Sequence, residues 1–423
     1  MLDINFIREN PEKVKSGLEK RLFKDIGLVD EIISLDEEKR RLQKEIENLR
    51  SERNKASGER NIEEGKKIKL ALSAKEPEFE KKEKELQEKL LSLPNIPEDG
   101  IPAGPEENKK LIKKVGEPKE FSFTPKDHLD LGIALGIIDC ERASKVSGSR
   151  FAYLKGDGVL LEFALVNFAM EKILKEGFVP VLPPMLIKKE ITDGLGYWAG
   201  GGNENYYYVL DYNEKEGEKE LENPLYLIGT GEHSLVPMHK DEILDEKDLP
   251  KKYVAFSSCF RREAGTYGKD TKGILRVHQF DKVEMVVFCK PEDDEKILQK
   301  MLSYSESLMK DLGLPFQIVT LAAGDIGFPT KKTYDIEVWL PGQNKYRETH
   351  SISTTADYQA RRLNIKYKTP AGNKFVHILN GTAFALGRTI IAIMENYQNK
   401  DGSITIPKVL QKWMGKEKIE VKV

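Results

Sequence analysis

YVAFSSCFRREAGTYGKDTKGILRVHQFDKVEMVVF, residues 253–288, reads as two β-strands separated by a polar, glycine-containing loop. YVAFSSCF (253–260) and VHQFDKVEMVVF (277–288) carry the β-branched and aromatic residues of strands, and REAGTYGKDTKGIL carries the turn residues. The spacing suits a long antiparallel hairpin rather than a βαβ unit. Arg261 and Glu263 stand two apart at the end of the first strand, so they project from one face. Phe280 and Glu284 stand four apart on the second, again on one face, separated by ~13 Å at ~3.3 Å per residue. A guanidinium fork suits a phosphate, an aromatic face suits a purine ring, and a carboxylate suits a hydroxyl or an ammonium. The same residues also have ordinary structural uses, Arg-x-Glu as a cross-strand ion pair and Phe280 as core.

Outward from the hairpin the chain divides by composition. Of its 423 residues, 68 are Lys or Arg and 70 Asp or Glu, a net charge of −2, so global charge gives no case for a polyanionic or membrane partner. Mean hydropathy is −0.51, no apolar run nears the ~18 residues of a membrane span, and MLDINFIRENPEKVKSG is too polar for a signal peptide. Cys140, Cys259 and Cys289 are widely spaced, so neither a disulfide framework nor a thiolate zinc site is expected, and the compartment reads as reducing. Residues 31–90, however, hold 16 basic and 16 acidic side chains. There Leu35, Leu42, Leu49 and Ala56 recur every seven residues, with Ile32 and Ile46 completing an a/d seam whose polar a positions are Lys39 and Arg53. The pattern breaks at Ser57-Gly58 and again at Gly65, and a second series follows at Leu72, Phe79, Leu86, Leu90 and Leu93, with Pro77 expected to kink or restart it. Two such helices make an antiparallel hairpin arm over about 31–93, ~40 Å long at ~1.5 Å per residue.

Between residues 50 and 69 the arm carries Arg50, Arg53, Lys55, Arg60, Lys66, Lys67 and Lys69 against four acids, a local charge of +3. A basic tip suits phosphate contacts that do not read sequence, whereas a dimerising coiled coil or a solvated spacer is the plainer use of such an arm. LSLPNIPEDGIPAGPEENK reads as an extended linker and puts a boundary near 94–115, with an N-terminal unit over 1–110 and a globular unit over 111–423. No GxGxxG, Walker A or HExxH motif is present, so any phosphate chemistry falls to side chains.

The rest of the chain extends the hairpin into an ordered constellation: GFVPVLPP (177–184), LIGTGE (227–232), CFRRE (259–263), RETHS (347–351) and NGTAFALGR (380–388). In this order the motifs resemble the three signatures of class II aminoacyl-tRNA synthetases. ERASKVSGSRFAYLKGDG, the 253–288 region, DYQARRLNIKY, GRTIIAIMENYQ, the opening MLDINFIRENPEKV and the helical arm resemble the seryl-tRNA synthetase family in particular, over essentially the whole chain. The resemblance implies an α+β fold, an arm plus a catalytic domain with a mainly antiparallel sheet flanked by helices. It implies ATP-dependent, AMP-forming activation of L-serine to seryl-adenylate and transfer to the 3′-terminal ribose of tRNA(Ser), with tRNA(Sec) as a second acceptor.

Carried over residue by residue, the resemblance makes Arg261, Glu348 and Arg388 catalytic. Arg261 would hold the α-phosphate, Glu263 the adenine amino group, Phe280 the adenine face and Val277 the ribose edge. Arg262, Thr349 and His350 join the nucleotide site, Arg276 and Arg388 bracket the polyphosphate, and Glu348 and Ser351 hold Mg2+, with no zinc expected. Thr230, Gly231 and Glu232 take the substrate ammonium; Glu284 and Thr382, with Asn380 and Arg261, recognise the serine end. The basic tip becomes a tRNA-binding element, the first motif a homodimer contact, and the setting cytoplasmic, without a membrane partner. Three positions depart from the family pattern. Gly229-Thr230-Gly231-Glu232 stands for Pro-Thr-Ala-Glu, which predicts a looser loop; Thr349-His350 replaces an aliphatic–Ser pair; and Thr354 replaces Asn. Three rival readings are an aminoacyl-carrier-protein ligase, which would lack the arm, an inactive tRNA-binding paralogue, which would lack Arg261, Glu348 or Arg388, and a coiled-coil structural protein, which does not explain the five ordered motifs.

Overall fold

The computed structural model describes residues 1–197, 204–209, 224–264 and 272–421. Half of the expected hairpin loop, residues 265–271, lies outside the described residues. Helices α1 (Ile4–Glu9) and α2 (Pro11–Lys20) lead into α3 (Leu28–Gly58) and α4 (Ile62–Ser92), which pack along one another as the arm. The heptad positions decide the seam: Ile32, Leu35, Leu42, Ile46 and Ala56 of α3 and Ile68, Leu72, Leu86 and Leu90 of α4 are buried. At ~1.5 Å per residue each 31-residue helix spans ~45 Å.

Two sequence expectations for the arm are corrected. The second helix begins before Gly65, because Asn61 caps it by accepting from the Glu64 N–H at 3.2 Å, and Gly65 N–H bonds Asn61 O inside the first turn. Pro77 neither ends nor restarts α4. It is exposed, it deletes one backbone hydrogen bond, and the seam on either side, Leu72 and Leu86, holds the helix together. Lys39, expected as a polar a position, bridges to Glu83 at 2.7 Å and lies over the Phe79 ring.

The globular part is built on an eight-stranded sheet of β1 (Lys110–Val115), β2 (Val179–Val181), β3 (Lys251–Phe260), β4 (Gln279–Cys289), β5 (Phe316–Thr320), β6 (Lys332–Leu340), β7 (Lys345–Ala356) and β8 (His377–Ala385). Its spatial order is β1-β5-β6-β7-β8-β4-β3-β2, antiparallel throughout except for the β2–β3 edge pair. The hairpin expected from residues 253–288 is the β3–β4 pair, in register from Phe260 opposite Gln279 to Lys251 opposite Phe288. Side chains alternate across a strand, and β4 uses both faces. Val283, Met285 and Val287 join one buried cluster with Leu161 and Leu165 of α5 (Asp157–Leu174), Met301 of α6 (Asp294–Asp311) and Ile390 of α8 (Leu386–Asn396). Phe280, Lys282 and Glu284 turn to the other face, where a cavity opens. On that other face Val286 and Phe288 pack against Ala360 and Leu363, and the polar alternate positions beside them line the cavity.

The proline-rich stretch after the arm does not hang free. Asn95 donates to the Pro329 and Thr355 carbonyls at 3.0 Å each, and Arg21 donates to the carbonyls of Asn95, Thr330, Ile326 and Gly327. These bonds seat the base of the arm on the β5–β6 connection and on α7 (Tyr358–Leu363).

Candidate active site

A cavity of about 550 Å³ lies over the open face of β4, β6, β7 and β8. Of the residues singled out from sequence, Thr230, Glu232, Arg261, Glu263, Arg276, Val277, Phe280, Glu284, Glu348, Thr349, Ser351, Asn380, Thr382 and Arg388 line it. One end is cationic. Arg261 leaves the end of β3, donates to Gly229 O at 3.0 Å and lies over the Phe280 ring at 5.2 Å. Arg276 pairs with Glu263 at 2.6 Å, and its Nε is buried without a partner among the described residues. Arg388, at the start of α8, pairs with Glu348 at 3.0 Å and donates to the Glu348 carbonyl. Depth in the cavity works against the Glu348 carboxylate, but Arg388 first, then Arg261 and Arg276, hold it below the usual range.

Glu348 and Ser351 are three apart, and regular alternation would put them on opposite faces. A β-bulge brings them together: Glu337 pairs with Glu348 and Ile336 with His350, so Thr349 is the extra residue. Opposite Ser351 on β6 stands Asp335, which sequence reasoning missed. It is buried, and its Oδ1 has no partner among the described residues. Burial and then Glu348 push its carboxyl well above the usual range. Two carboxyls and a hydroxyl, one oxygen unsatisfied, form a hard-donor set that fits a divalent cation. Among the described residues no three His, Cys, Asp or Glu side chains form such a group unaided.

The other end is small and buried. Glu232 is fixed by four hydrogen bonds from three residues: Tyr197 Oη at 2.9 and 3.0 Å, Gln359 Nε2 at 2.9 Å and Asn380 Nδ2 at 2.6 Å. Burial pushes its carboxyl up to about 7. Beside it Glu284 pairs with Lys282 at 2.5 Å and accepts from Thr382 Oγ1 at 3.4 Å, Thr382 being its register partner on β8. Lys282 was also missed from sequence; its i, i+2 spacing from both Phe280 and Glu284 was the available signal.

Three singled-out residues stand outside the cavity lining. Arg262 is exposed, and among the described residues its backbone N–H donates to Asn205 O at 2.9 Å. Gly231 lies beneath the floor, where an added Cβ would stand 3.3 Å from Glu284 Cβ. His350 points into the core, bonded to Thr349 Oγ1 and Ala383 O and packed on Phe384, and burial pushes its imidazole down to about 4. The Gly229–Glu232 loop is tied rather than loose. His233 Nδ1 accepts the Gly229 N–H at 3.2 Å, and an added Cβ on Gly229 would stand 3.3 Å from the His233 ring. Thr354, at the other departure, donates to Asp294 Oδ2 at 2.9 Å, away from the cavity.

Two family descriptions match the chain: the seryl-tRNA synthetase N-terminal domain over residues 1–97 and the tRNA synthetase class II core domain (G, H, P, S and T) over 212–397. A serine–tRNA ligase of Thermodesulfovibrio yellowstonii is 45% identical over 98% of this chain and 99% of its own length. One of Dictyoglomus turgidum is 44% identical over the whole of both chains. In structure, seryl-tRNA synthetase from Pyrococcus horikoshii complexed with ATP superposes with a TM-score of 0.92 at 40% identity, covering all of both chains.

Proposed function

Because the chain belongs to the seryl-tRNA synthetase family, we propose that its cavity activates L-serine with ATP and that its arm presents the acceptor tRNA. The observation that carries the reading is the polarity of the cavity. Three arginines gather at one end, and two buried carboxyls, Glu232 and Glu284, close the other. The chain divides functionally into a tRNA-binding unit over 1–110 and a catalytic unit over 111–423.

Catalysis here is positioning and charge neutralisation rather than general-base chemistry. Glu232, set by its four hydrogen bonds, receives the serine ammonium, with Thr230 at the same loop. Glu284, held by Lys282 and Thr382, accepts a hydrogen bond from the serine hydroxyl. This leaves the carboxylate of serine directed at the arginine end, where Arg261 holds the α-phosphate and Phe280 and Glu263 take the purine. Attack forms the carboxyl–phosphorus bond, the bond to pyrophosphate breaks, and Arg276 and Arg388 take up the charge of the leaving group. Glu348 and Ser351, with Asp335, would hold Mg2+, which when bound neutralises phosphate charge. The 3′-terminal ribose hydroxyl of the tRNA then displaces AMP. Acceptor identity is testable by charging tRNA(Ser) and tRNA(Sec) side by side.

A second copy fits along the β2 edge, where Leu182 is 84% exposed and Val179 and Phe163 are also open. Among the described residues no helix is long and apolar enough to cross a membrane.

Amino-acid-dependent ATP–pyrophosphate exchange tests the reading. Serine alone of the protein amino acids is expected to support rapid exchange; equal exchange with alanine, or none with serine, overturns it. The pH dependence adds a second check. Free Glu232 loses its charge as pH falls through about 7, and only the carboxylate binds an ammonium. kcat/KM for serine should therefore fall about tenfold per pH unit below that value, while kcat, measured with serine bound, stays flat to lower pH. A kcat/KM that is level down to pH 5.5 contradicts the role of Glu232.

A further inference from the structure

The segment DYQARRLNIKY has no part in the chemistry above, yet its helix α7 touches both the arm and the amino-acid pocket. Tyr358 and Gln359 are consecutive, and in a helix consecutive side chains diverge by ~100°. Tyr358 points outward into the core of the arm base. It is buried in one cluster with Ile7, Leu18, Leu35, Leu86, Leu90 and Leu93, and its hydroxyl donates to Leu93 O at 2.5 Å. Arg362, one turn on, donates to Leu91 O at 3.0 Å and to Asp193 O at 2.7 Å. Gln359 points inward. It is fully buried, its Oε1 accepts from Thr355 Oγ1 at 3.3 Å, and its Nε2 reaches Glu232 Oε1 at 2.9 Å.

We propose that α7 is a rigid link between the base of the arm and the amino-acid pocket, in which Gln359 is a positioning residue for Glu232. A helix of six residues fastened at both faces transmits displacement with little give. A shift of the α4 terminus carried through Tyr358 and Arg362 therefore moves the one amide that orients Glu232 from the side of α7. The other groups facing Glu232 come from different elements: Tyr197, Tyr206, Asn380 on β8, and the Lys282–Glu284 pair on β4. None of these shares a hydrogen bond with the arm among the described residues. The inference deepens the reading of Glu232 as the ammonium-binding group and rests on it.

The test uses the full chain in serine-dependent exchange across pH 5.5–9, with unmodified protein alongside. Gln359→Met removes the amide at similar volume. It is expected to raise KM for serine about tenfold, as for loss of a hydrogen bond to a charged group, with kcat little changed. It should also move the acid limb of kcat/KM upward, since one donor favouring the carboxylate is gone. A merely structural role would leave that limb where it was. Tyr358→Phe removes the hydroxyl's bond to Leu93 O and the 3.4 Å bond it accepts from Arg362 Nη1, but no atom of the pocket. It should raise serine KM measurably, about two- to threefold, with a melting temperature within a few degrees of the unmodified chain. An unmoved acid limb in Gln359→Met overturns the positioning role, and an unchanged KM in folded Tyr358→Phe overturns the link. Unmodified protein that shows no serine-dependent exchange overturns the underlying reading and the inference together.

Discussion

Glu284→Ala is expected to abolish discrimination between serine and alanine. Glu284 is 1% exposed and fixed by Lys282 on one side and Thr382 on the other, and in the proposed reading its remaining lone pairs take the substrate hydroxyl. A site built to pair with a hydroxyl rejects the analogue that lacks it by about 10⁴, because a buried polar group is left unmatched. Removing the carboxylate removes that penalty. Serine kcat/KM should fall about 10³-fold while alanine gains relative to it. The substitution also strands the Lys282 ammonium, which is 7% exposed, and breaking a buried pair from one side costs about 3–5 kcal/mol. Glu284→Gln separates the two effects, since it keeps an acceptor of the same shape; it should retain the fold with intermediate selectivity. Exchange rates with serine and alanine, alongside melting curves, read both. Serine exchange unchanged in folded Glu284→Ala would sink the assignment of the hydroxyl pocket.

Shortening the arm should separate activation from transfer. Leu35, Leu86 and Leu90 belong to the packed base, so the excision has to lie beyond them. Replacing residues 43–78 by a short glycine turn removes the tip and leaves every bond that α7 makes to Leu91 and Leu93. Exchange should stay within about twofold, as for sites with no shared partners, while tRNA charging efficiency drops by at least about 10³ through lost phosphate contacts. Charging that survives the excision would make the arm structural. At the tip Arg50 pairs with Glu76, and Lys66 lies 3.7 Å from Glu63. Arg53, Lys55, Arg60, Lys67 and Lys69 are exposed and make no ion pair among the described residues, so they are the five to neutralise in a finer version.

The arm was legible because a heptad repeat states its own buried face. The two misreadings, Gly65 and Pro77, came from treating residue preferences as decisive where Asn61 and a continuous apolar seam outweigh them. In the site, Arg261, Phe280 and Glu284 were legible from spacing on one hairpin. Asp335 was not, because KTYDIEVWL alternates like any half-buried strand and nothing in it marks the acid as facing Glu348. Gln359 was not, because it reaches Glu232 from 127 residues away. The bulge at Thr349 hid for a third reason: a bulge exists only in the pairing of two strands, and it re-aims Glu348 without leaving a sign in either one.

The paired charges along the arm set what an approaching polyanion feels. Lys89 and Glu31, Lys82 and Glu38, Lys39 and Glu83, and Lys75 and Glu45 join across α3 and α4. As stabilisers such exposed pairs contribute little each. As sources of field they are close dipoles, which fade within a few ångströms, whereas the +3 of residues 50–69 acts as a monopole out to a Debye length of about 8 Å. The rest of residues 31–90 holds 9 basic and 12 acidic side chains, a charge of −3, so the arm is polarised along its length, with its positive pole at the end of a ~45 Å lever. Encounter should accordingly slow as salt rises, at a chain whose net charge of −2 would suggest repulsion.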